Sequence, residues 1–409
     1  MKPTGPIPPH FFANDAGELL IGGLAPEELI AEAGGTPVFV YDNNIVGGQI
    51  AALRAAMPDG LAVYYSVSAN PYEPLLNFIG RYVDGFRVVS RGELEHLKRA
   101  GLAGIGMTFA GPGKLDEELE AGIQAGATIS VESEAEAGRA IEAAERVGIQ
   151  PKLAVRVNPP FSIEKGRLSM GARPTPFGVD AERVPALVEG LLEADADWRG
   201  LHIFAAAQSL DDSALIQAHQ AIIDCAGEIA GSLGIPLPEL NLGGGFDVPV
   251  FAGEKGIDVY RMASALHETV CKGPELLATT RLSLELGRWL VAEAGVYLSR
   301  VLERTESCGE TFLTTDGGGH HLLNATGCLS ERGRGNYPVA IANRFNTPPE
   351  EQVTVTGCLA TPNDVFGDEI MLPHAEPGDV VAIFCAGAYG LSASPQSWES
   401  RPAAREIMV

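Results

Sequence analysis

The stretch Val63-Tyr-Tyr-Ser-Val-Ser-Ala-Asn-Pro71 joins a short apolar run to a polar turn. The overlapping run 61–65, Leu-Ala-Val-Tyr-Tyr, has the β-branched and aromatic residues that favour a strand. Similar runs alternate with helix-like segments along the chain, which is typical of βα units around a parallel sheet. In a barrel of such units, catalytic groups follow the C-terminal ends of the strands. The polar turn that follows this run is therefore one of the places to inspect for site residues.

Further apolar runs predict the other strands of this barrel. With 61–65 included, the runs are residues 38–41, 61–65, 86–89, 108–110, 128–131, 153–157, 201–204, 239–242 and 282–285. The stretches between them, such as 92–100 and 133–142, combine helical periodicity with good helix formers. About eight such units over roughly 250 residues predict an α/β fold, a (β/α)8 TIM barrel that spans residues 36–290.

The composition of the chain changes after about residue 291. Val/Thr-rich runs, such as 352–356 and 379–384, are separated there by glycine and proline. This composition predicts a C-terminal, mostly antiparallel β domain over residues 291–409. We expect the N-terminal segment, residues 1–35, to complete that domain.

The charge of the chain excludes several classes of partner. Lys+Arg 29 against Asp+Glu 53 gives a formal net charge of -24 over 409 residues, which repels nucleic acid and anionic lipid at long range. The six cysteines lack metal-site spacing and are interpreted as reduced thiols. No apolar run approaches the roughly 18 residues of a membrane span. We therefore expect a soluble, cytoplasmic protein without a nucleic-acid, membrane or metal partner.

A glycine triplet follows one predicted strand directly. The sequence Asn241-Leu-Gly-Gly-Gly-Phe246 contains Gly243, Gly244 and Gly245. Glycines let backbone N–H groups approach and hold an anion, because no Cβ intervenes. A tight turn explains the same triplet, and on the residues alone it is the simpler interpretation.

Several motifs of the chain together resemble the alanine racemase and ornithine/diaminopimelate decarboxylase family. The stretch at 63–71 is similar to the family pattern Tyr-x-Val-Lys-Ala-Asn-Pro, whose lysine forms a Schiff base with pyridoxal phosphate. In this chain the lysine position is Ser68. A hydroxyl group cannot form an imine, so the usual covalent anchoring of the cofactor is chemically excluded at this site.

The resemblance implies roles for further residues. Gly243 to Gly245 match the phosphate loop, and Glu285-Leu-Gly287-Arg288 matches a Glu-x-Gly-Arg pattern whose glutamate pairs with the pyridine nitrogen. The other matches are His202, which would stack on the cofactor ring, Arg156, near the same pocket, and Tyr389, which would reach the phosphate. Without the resemblance, Glu285 is interpreted as a strand-end acid paired with Arg288, and His202 as a structural histidine.

The departures from the family pattern surround the same pocket. Arg87 stands where the family has an acid beside the lysine, which inverts the local charge. Ahead of Gln208, the alanines at 205–207 stand where the family has small glycine and hydroxyl residues. In the segment that ends at Asp364, the family's cysteine position is Ala360, and Cys358 would supply a thiol only if the loop shifts. Changes at several places indicate natural divergence rather than one engineered substitution.

Other clusters give weaker signals. Adjacent histidines in Asp316-Gly-Gly-Gly-His-His321 would point to opposite faces of a strand, so they do not indicate a metal site. Arg332-Gly-Arg-Gly-Asn-Tyr337 fits an anion-binding loop or a flexible loop equally well. No lysine is placed to replace the missing one. The lysines in question are Lys98, Lys152 and Lys272, on predicted helices or loops, and Lys114, after a different strand.

These observations support one leading hypothesis and two alternatives. The leading hypothesis is an enzyme of decarboxylase ancestry, a head-to-tail homodimer, with lysine-independent chemistry on an amino-acid-like or carrier-protein-linked substrate. It would hold pyridoxal phosphate noncovalently or use no cofactor. Its catalytic residues would be Ser68, Arg87, Cys358 and Asp364. The alternatives are a non-catalytic regulatory paralogue and an ordinary pyridoxal phosphate decarboxylase with an inactivating lysine-to-serine change.

Overall fold

The computed structural model describes residues 2–163, 168–169, 171–326 and 335–409. Its chain divides into two compact units. The barrel unit consists of Ile50–Asp247 and Ile257–Gly287. The sheet unit consists of Met1–Gln49, Val248–Gly256 and Arg288–Val409.

A closed parallel barrel forms the barrel unit. Within the described ranges the barrel has eight strands, and pairing of the first strand with the eighth completes the ring. In chain order, the first to eighth barrel strands are Ala62–Ser66, Gly85–Val88, Gly106–Phe109, Thr128–Val131, Lys152–Asn158, Asp197–Ile203, Glu239–Asn241 and Arg281–Leu286. The prediction of a (β/α)8 barrel is thus confirmed.

Helices connect successive strands of the barrel. They are Glu73–Ile79, Arg91–Arg99, Asp116–Gln124, Glu134–Val147, Val184–Glu193, Asp212–Leu233 and Val259–Cys271, and Asn43–Ala56 precedes the first strand. Two of them begin at a Ser-x-x-Glu sequence, in which the hydroxyl of Ser90 accepts the N–H of Glu93 and that of Ser133 accepts the N–H of Glu136. These caps satisfy N–H groups that the first helical turn leaves unpaired. No helix in the described part of the chain is long and apolar enough to cross a membrane.

A mostly antiparallel sheet forms the core of the sheet unit. The order of its strands is Val339–Ile341, Val380–Ile383, Gly295–Ser307, Glu310–Thr315, Glu351–Thr356 and Val365–Leu372. Glu310–Thr315 and Glu351–Thr356 pair in parallel. The unit also contains the helix Pro26–Ala33 and the one-turn helix Arg288–Val291. The predicted β domain is present in this unit.

The strand Val38–Tyr41 differs from its predicted place. The sequence predicts it as a barrel strand, but it pairs antiparallel with Gly295–Ser307 and parallel with Arg405–Met408 in the sheet unit. All four of its residues are buried, and a continuous apolar run fits either kind of sheet. The barrel strands therefore begin at Ala62–Ser66, and the predicted boundary at residue 36 falls within the sheet unit.

Gly200 shows why the sixth barrel strand needs a glycine. Its pairing with the fifth strand shifts register between Trp198 and Gly200. The φ angle of Gly200 is +106°, and a Cβ there would lie 1.9 Å from the carbonyl oxygen of Glu239. Any side chain would therefore meet backbone strain together with backbone atoms of the neighbouring strand.

Gly200→Ala is expected to lower the free energy of unfolding by about 1–4 kcal/mol because of this strain and contact. The matched control is Gly190→Ala within the helix Val184–Glu193, where a Cβ meets no atom within 4 Å. The control should raise stability by about 1 kcal/mol or less. Urea unfolding followed by circular dichroism measures both variants, and equal stabilities would contradict the argument.

Candidate functional site

Glu285 lies at the centre of the polar side chains inside the barrel. Its side chain, on the eighth strand, is 6% exposed. Oε1 accepts a hydrogen bond from the Thr108 hydroxyl at 2.9 Å and another from the Asn241 side-chain amide at 2.8 Å. Thr108 belongs to the third strand and Asn241 ends the seventh. One carboxylate oxygen therefore connects three strands of the barrel.

The second carboxylate oxygen of Glu285 faces two nitrogen atoms. Nε of Arg87 lies 3.4 Å from Oε2, and Nε2 of His202 lies 3.6 Å from it. Neither nitrogen has a hydrogen-bond partner among the described residues. The other ring nitrogen of His202 lies 3.2 Å from the hydroxyl of Ser130. Arg87 is thus an ion-pair partner of Glu285.

Burial and charge determine the protonation states in this group. Burial opposes ionisation of Glu285, but His202, Arg87 and the two hydrogen bonds stabilise the anion, and the pKa of the carboxyl is lowered overall. Burial lowers the pKa of His202 to about 4. Since His202 is then neutral near pH 7, the positive charge that favours the carboxylate at that pH is Arg87.

Asn241 also connects Glu285 to the glycine loop after the seventh strand. Its Oδ1 accepts the N–H of Gly243 at 2.8 Å, and the Gly243 carbonyl accepts the N–H of Glu285 at 2.7 Å. A Cβ at Gly244 would lie 2.0 Å from the Glu285 carbonyl oxygen, and one at Gly245 would lie 2.1 Å from that of Ala206. The glycines are therefore required by the close packing of this loop.

The packing leaves two backbone donors of the loop unused. The N–H groups of Gly244 and Gly245 have no hydrogen-bond acceptor within the described ranges, and Gly244 is buried. Buried donors are normally paired, and successive backbone N–H groups form a concave site for an anion. The same loop is thus a tight turn and a concave site suited to an anion.

Ser68 follows the first strand in the short 3₁₀ turn Val67–Ala69. Ser66, at the end of that strand, is paired with Arg87 of the second strand. A Cβ at Gly287 would lie 2.8 Å from the Cβ of Ala69, so glycine is needed where the eighth strand passes this turn. The position of the missing lysine, Arg87 and Glu285 therefore belong to neighbouring strands at one end of the barrel.

Arg156 is engaged in a buried ion pair. Its Nη1 lies 2.9 Å from Oε1 of Glu132, which also accepts the N–H of Gly111 at 2.6 Å. The guanidinium carbon lies 5.1 Å from the centre of the Phe177 ring, which is a cation–π distance. Arg156 is thus held beside the barrel interior by contacts within the protein.

Lys114 does not have a free amine. Its ammonium is buried and donates to the carbonyls of Gly111 and Ser130, at 2.8 and 2.9 Å, and to Oε1 of Glu136 at 3.1 Å. Three acceptors use all three ammonium hydrogens. Lys98 lies in the helix Arg91–Arg99, and Lys152 begins the fifth strand, at its N-terminal end.

Arg288 and Tyr389 lie together in the sheet unit. The guanidinium carbon of Arg288 is 4.9 Å from the centre of the Tyr389 ring, a cation–π distance. Tyr389 has a φ of +54°, in the left-handed region, and its carbonyl accepts the amide of Asn324 at 2.8 Å. The predicted contact of Tyr389 with a phosphate stays a prediction.

Asp364 organises two loops of the sheet unit. Its two carboxylate oxygens accept the N–H of Gly319 at 2.6 Å and that of Leu359 at 2.8 Å. Burial raises the pKa of Asp364 and also that of the half-buried Cys358 thiol, so this thiol is protonated near neutral pH. The contacts give Asp364 a structural role, and catalytic roles for Asp364 and Cys358 stay predictions.

The remaining clusters add no ligand set. His321 contacts the Tyr297 hydroxyl at 2.9 Å and the Pro402 carbonyl at 2.8 Å through its two ring nitrogens. The described residues contain no group of three or more His, Cys, Asp or Glu that could hold a metal ion. Arg332 and Arg334, considered above for anion binding, lie outside the described residues, as does Cys328.

Sequence reasoning missed the polar residues that hold the central side chains. Thr108 bonds Glu285 and Ser130 contacts His202, yet a hydroxyl residue in a strand is ordinary. The sequence indicates Asn241 only as part of the glycine motif and does not indicate its contact with Glu285. For Ser130 and Asn241 the available signal is position, because both lie near the C-terminal end of a predicted strand. Thr108 begins its predicted run, 108–110, and carries no such signal.

Comparison with known proteins places this geometry in context. A family model for "Pyridoxal-dependent decarboxylase, pyridoxal binding domain" matches residues 45–292. The L-glutamyl-[BtrI acyl-carrier protein] decarboxylase of Niallia circulans is 32% identical over 91% of this chain and 88% of its own. The diaminopimelate decarboxylase of Archaeoglobus fulgidus is 31% identical over 97% of this chain and 93% of its own. The crystal structure of diaminopimelate decarboxylase from Methanocaldococcus jannaschii with L-lysine matches with a TM-score of 0.88. The match covers 98% of this chain and 92% of the other, at 26% sequence identity.

His202 should make stability depend on pH. The folded protein takes up this proton only near pH 4, whereas the unfolded chain takes it up near pH 6.5. The free energy of unfolding therefore falls as pH falls from 6.5 to 4, by at most about 1.4 kcal/mol per pH unit from one proton. In His202→Leu this contribution is absent, so the variant should gain stability relative to wild type across that range.

Urea unfolding at several pH values between 4.5 and 7.5 measures the difference between His202→Leu and wild type. His374→Gln is the matched control, because His374 is exposed and Glu376 and Glu351 raise its pKa. This control should lose stability relative to wild type at low pH. A pH-independent difference for His202→Leu would contradict a buried neutral imidazole.

Proposed function

Because the chain belongs to the pyridoxal-dependent decarboxylase family, we propose that its barrel binds pyridoxal 5′-phosphate without an imine to a lysine. The observation that carries the proposal is Ser68, at the lysine position, in a barrel that keeps the glycine loop and Glu285. We propose that the substrate is an amino acid, free or linked to a carrier protein. The homodimer predicted from the resemblance remains part of this proposal.

The residues of the barrel fit a noncovalent cofactor. The unused N–H groups of Gly244 and Gly245 would hold the phosphate. Oε2 of Glu285, which accepts no hydrogen bond among the described residues, would accept the ring nitrogen. His202 would lie against the ring as a neutral imidazole. These groups bind the cofactor through hydrogen bonds and contact, and none of them is an amine.

The available lysines support the lysine-independent part of the proposal. Lys114 has all its ammonium hydrogens engaged, and Lys152 lies at the far end of its strand. Lys165 follows the fifth strand in sequence and falls outside the described residues. A chemical test must therefore survey every lysine, Lys165 included.

When bound, pyridoxal phosphate supplies a ring that withdraws the electrons released at the α-carbon of an amino acid. Glu285 supplies a negative charge for the ring nitrogen, but Arg87 shares that charge at 3.4 Å. Glu285 therefore stabilises a protonated ring nitrogen less strongly. Ala360, at the position of the family's cysteine, supplies no proton donor in the sheet unit. The reaction should therefore differ from ordinary decarboxylation.

Borohydride reduction of wild-type protein mixed with one equivalent of pyridoxal 5′-phosphate should leave no stoichiometric pyridoxyl-lysine in the barrel. Ser68 offers a hydroxyl where the imine would form. The matched control is Ser68→Lys, which restores an amine at that position and should become labelled there. Peptide mass spectrometry after digestion reads both results and locates any label.

The outcomes of this labelling experiment separate the alternatives. A stoichiometric wild-type adduct on a lysine of the barrel would contradict the lysine-independent proposal. If Ser68→Lys also stays unlabelled and wild type fails to bind the cofactor in calorimetry, the regulatory paralogue becomes the better account.

A second experiment addresses the ordinary decarboxylase with one inactivating change. Ser68→Lys alone should remain far below turnover typical of enzymes, on the order of 1–10³ s⁻¹, because Arg87 still shares the Glu285 charge. Release of carbon dioxide from lysine, ornithine, glutamate and diaminopimelate is measured. Ser68→Lys with Arg87→Asp is the matched comparison and should be more active. Ordinary turnover by the single variant would favour the inactivated decarboxylase.

A further inference from the structure

Arg87 is a charged residue whose donors are unused. Its side chain is 20% exposed, and Nε is buried without a hydrogen-bond partner among the described residues. A guanidinium carries five N–H donors, and in the described part of the chain none of those of Arg87 makes a hydrogen bond. Its closest charged contact is Oε2 of Glu285 at 3.4 Å.

Two other arginines of the barrel unit, Arg156 and Arg54, are well bonded. Arg156 donates to Glu132 at 2.9 Å. Arg54 donates to Asp84 at 2.6 Å and to two backbone carbonyls. Burying a charged group without hydrogen bonds is costly, and native structures pair such groups. The difference indicates that the acceptor for Arg87 comes from outside the protein.

Each of the two nearby carboxylates has one oxygen engaged by other groups of the protein. Oε1 of Glu285 is engaged by Thr108 and Asn241. The carboxylate of Glu93 accepts the N–H of Val89 at 2.8 Å and stabilises the start of a helix. Neither carboxylate presents the bidentate geometry that a guanidinium prefers.

The position of Arg87 identifies which part of a ligand it would meet. Arg87 is paired with Ser66, two residues before Ser68, and its Nε lies beside Glu285. The glycine loop contacts the backbone of Glu285 from the seventh strand. A ligand with its phosphate at that loop would therefore extend past Glu285 toward Arg87.

We propose that Arg87 binds a carboxylate of the ligand, so that the barrel takes a phosphorylated pyridine compound with a second anionic group directed toward the end of the first strand. The inference rests on the proposed function, because it uses the same phosphate site. An ionic contact from Arg87 then supplies the anchoring that a lysine imine supplies elsewhere in the family. Pairing of guanidinium with carboxylate is charge-assisted and bidentate.

Two probes test this proposal by isothermal calorimetry. 4-Pyridoxic acid 5′-phosphate carries a carboxylate in place of the aldehyde, and pyridoxine 5′-phosphate carries an uncharged hydroxymethyl group there. Neither probe can form an imine. Wild-type protein should bind the carboxylate probe about 10- to 100-fold more tightly, the range expected for hydrogen bonds to charged groups.

Substitutions at Arg87 assign the preference to its side chain. Arg87→Gln should remove most of the preference, while Arg87→Lys, which keeps the charge but loses the planar fork, should retain part of it. Arg91→Gln is the matched control, since Arg91 is exposed and pairs with Glu117 at 3.9 Å. This control should bind both probes as wild type does. Circular dichroism verifies that each variant is folded.

The outcomes distinguish this inference from the proposed function. If neither probe binds wild-type protein, the phosphate site and the proposed function both fail. If both bind equally, the proposed function survives and the carboxylate contact is overturned. A preference that persists in folded Arg87→Gln would also overturn it. Should Arg87→Gln not fold, the wild-type preference and its reduction in Arg87→Lys decide the question.

Discussion

The buried carboxylate of Glu285 is the group on which the arrangement of the barrel site depends. An isolated carboxylate in this environment would be costly, and four side chains offset that cost from different strands. Thr108 and Asn241 bond one oxygen, and Arg87 and His202 face the other. Asn241 extends the network to the glycine loop through Gly243. A change at any of these strands therefore alters the charge and geometry offered to a ligand.

The architecture was predictable because the strands and helices carry local signals. The predicted runs overlap all eight barrel strands in the described residues, since buried parallel strands are short, continuous and apolar. Val38–Tyr41 was misplaced because it has the same local pattern. What places it in the other sheet is pairing with Gly295–Ser307 and Arg405–Met408. The local pattern of four residues does not indicate pairing partners that are so distant in sequence.

The site was predictable where residues have a motif, and unpredictable where only contacts define a role. Glu285, His202 and the glycines were found through a resemblance that the comparisons confirm at the level of the family. Thr108 carries no motif, and its role depends on its contact with Glu285, far away in sequence. Asp364 shows the opposite case: it matched a motif, but its carboxylate holds two loops. A motif gives the position of a residue and does not give its bonding partners.

The two substitutions at the barrel end together make the pocket more positive. Relative to the family pattern, Ser68 removes a positive charge, while Arg87 replaces a negative charge with a positive one. The formal charge of the pocket therefore rises by one unit. The chain as a whole is strongly acidic at -24, but exposed charges beyond about 8–10 Å are largely screened at physiological salt. Within the buried barrel end the local change dominates, and it favours a ligand with one more negative charge than the family pattern accommodates.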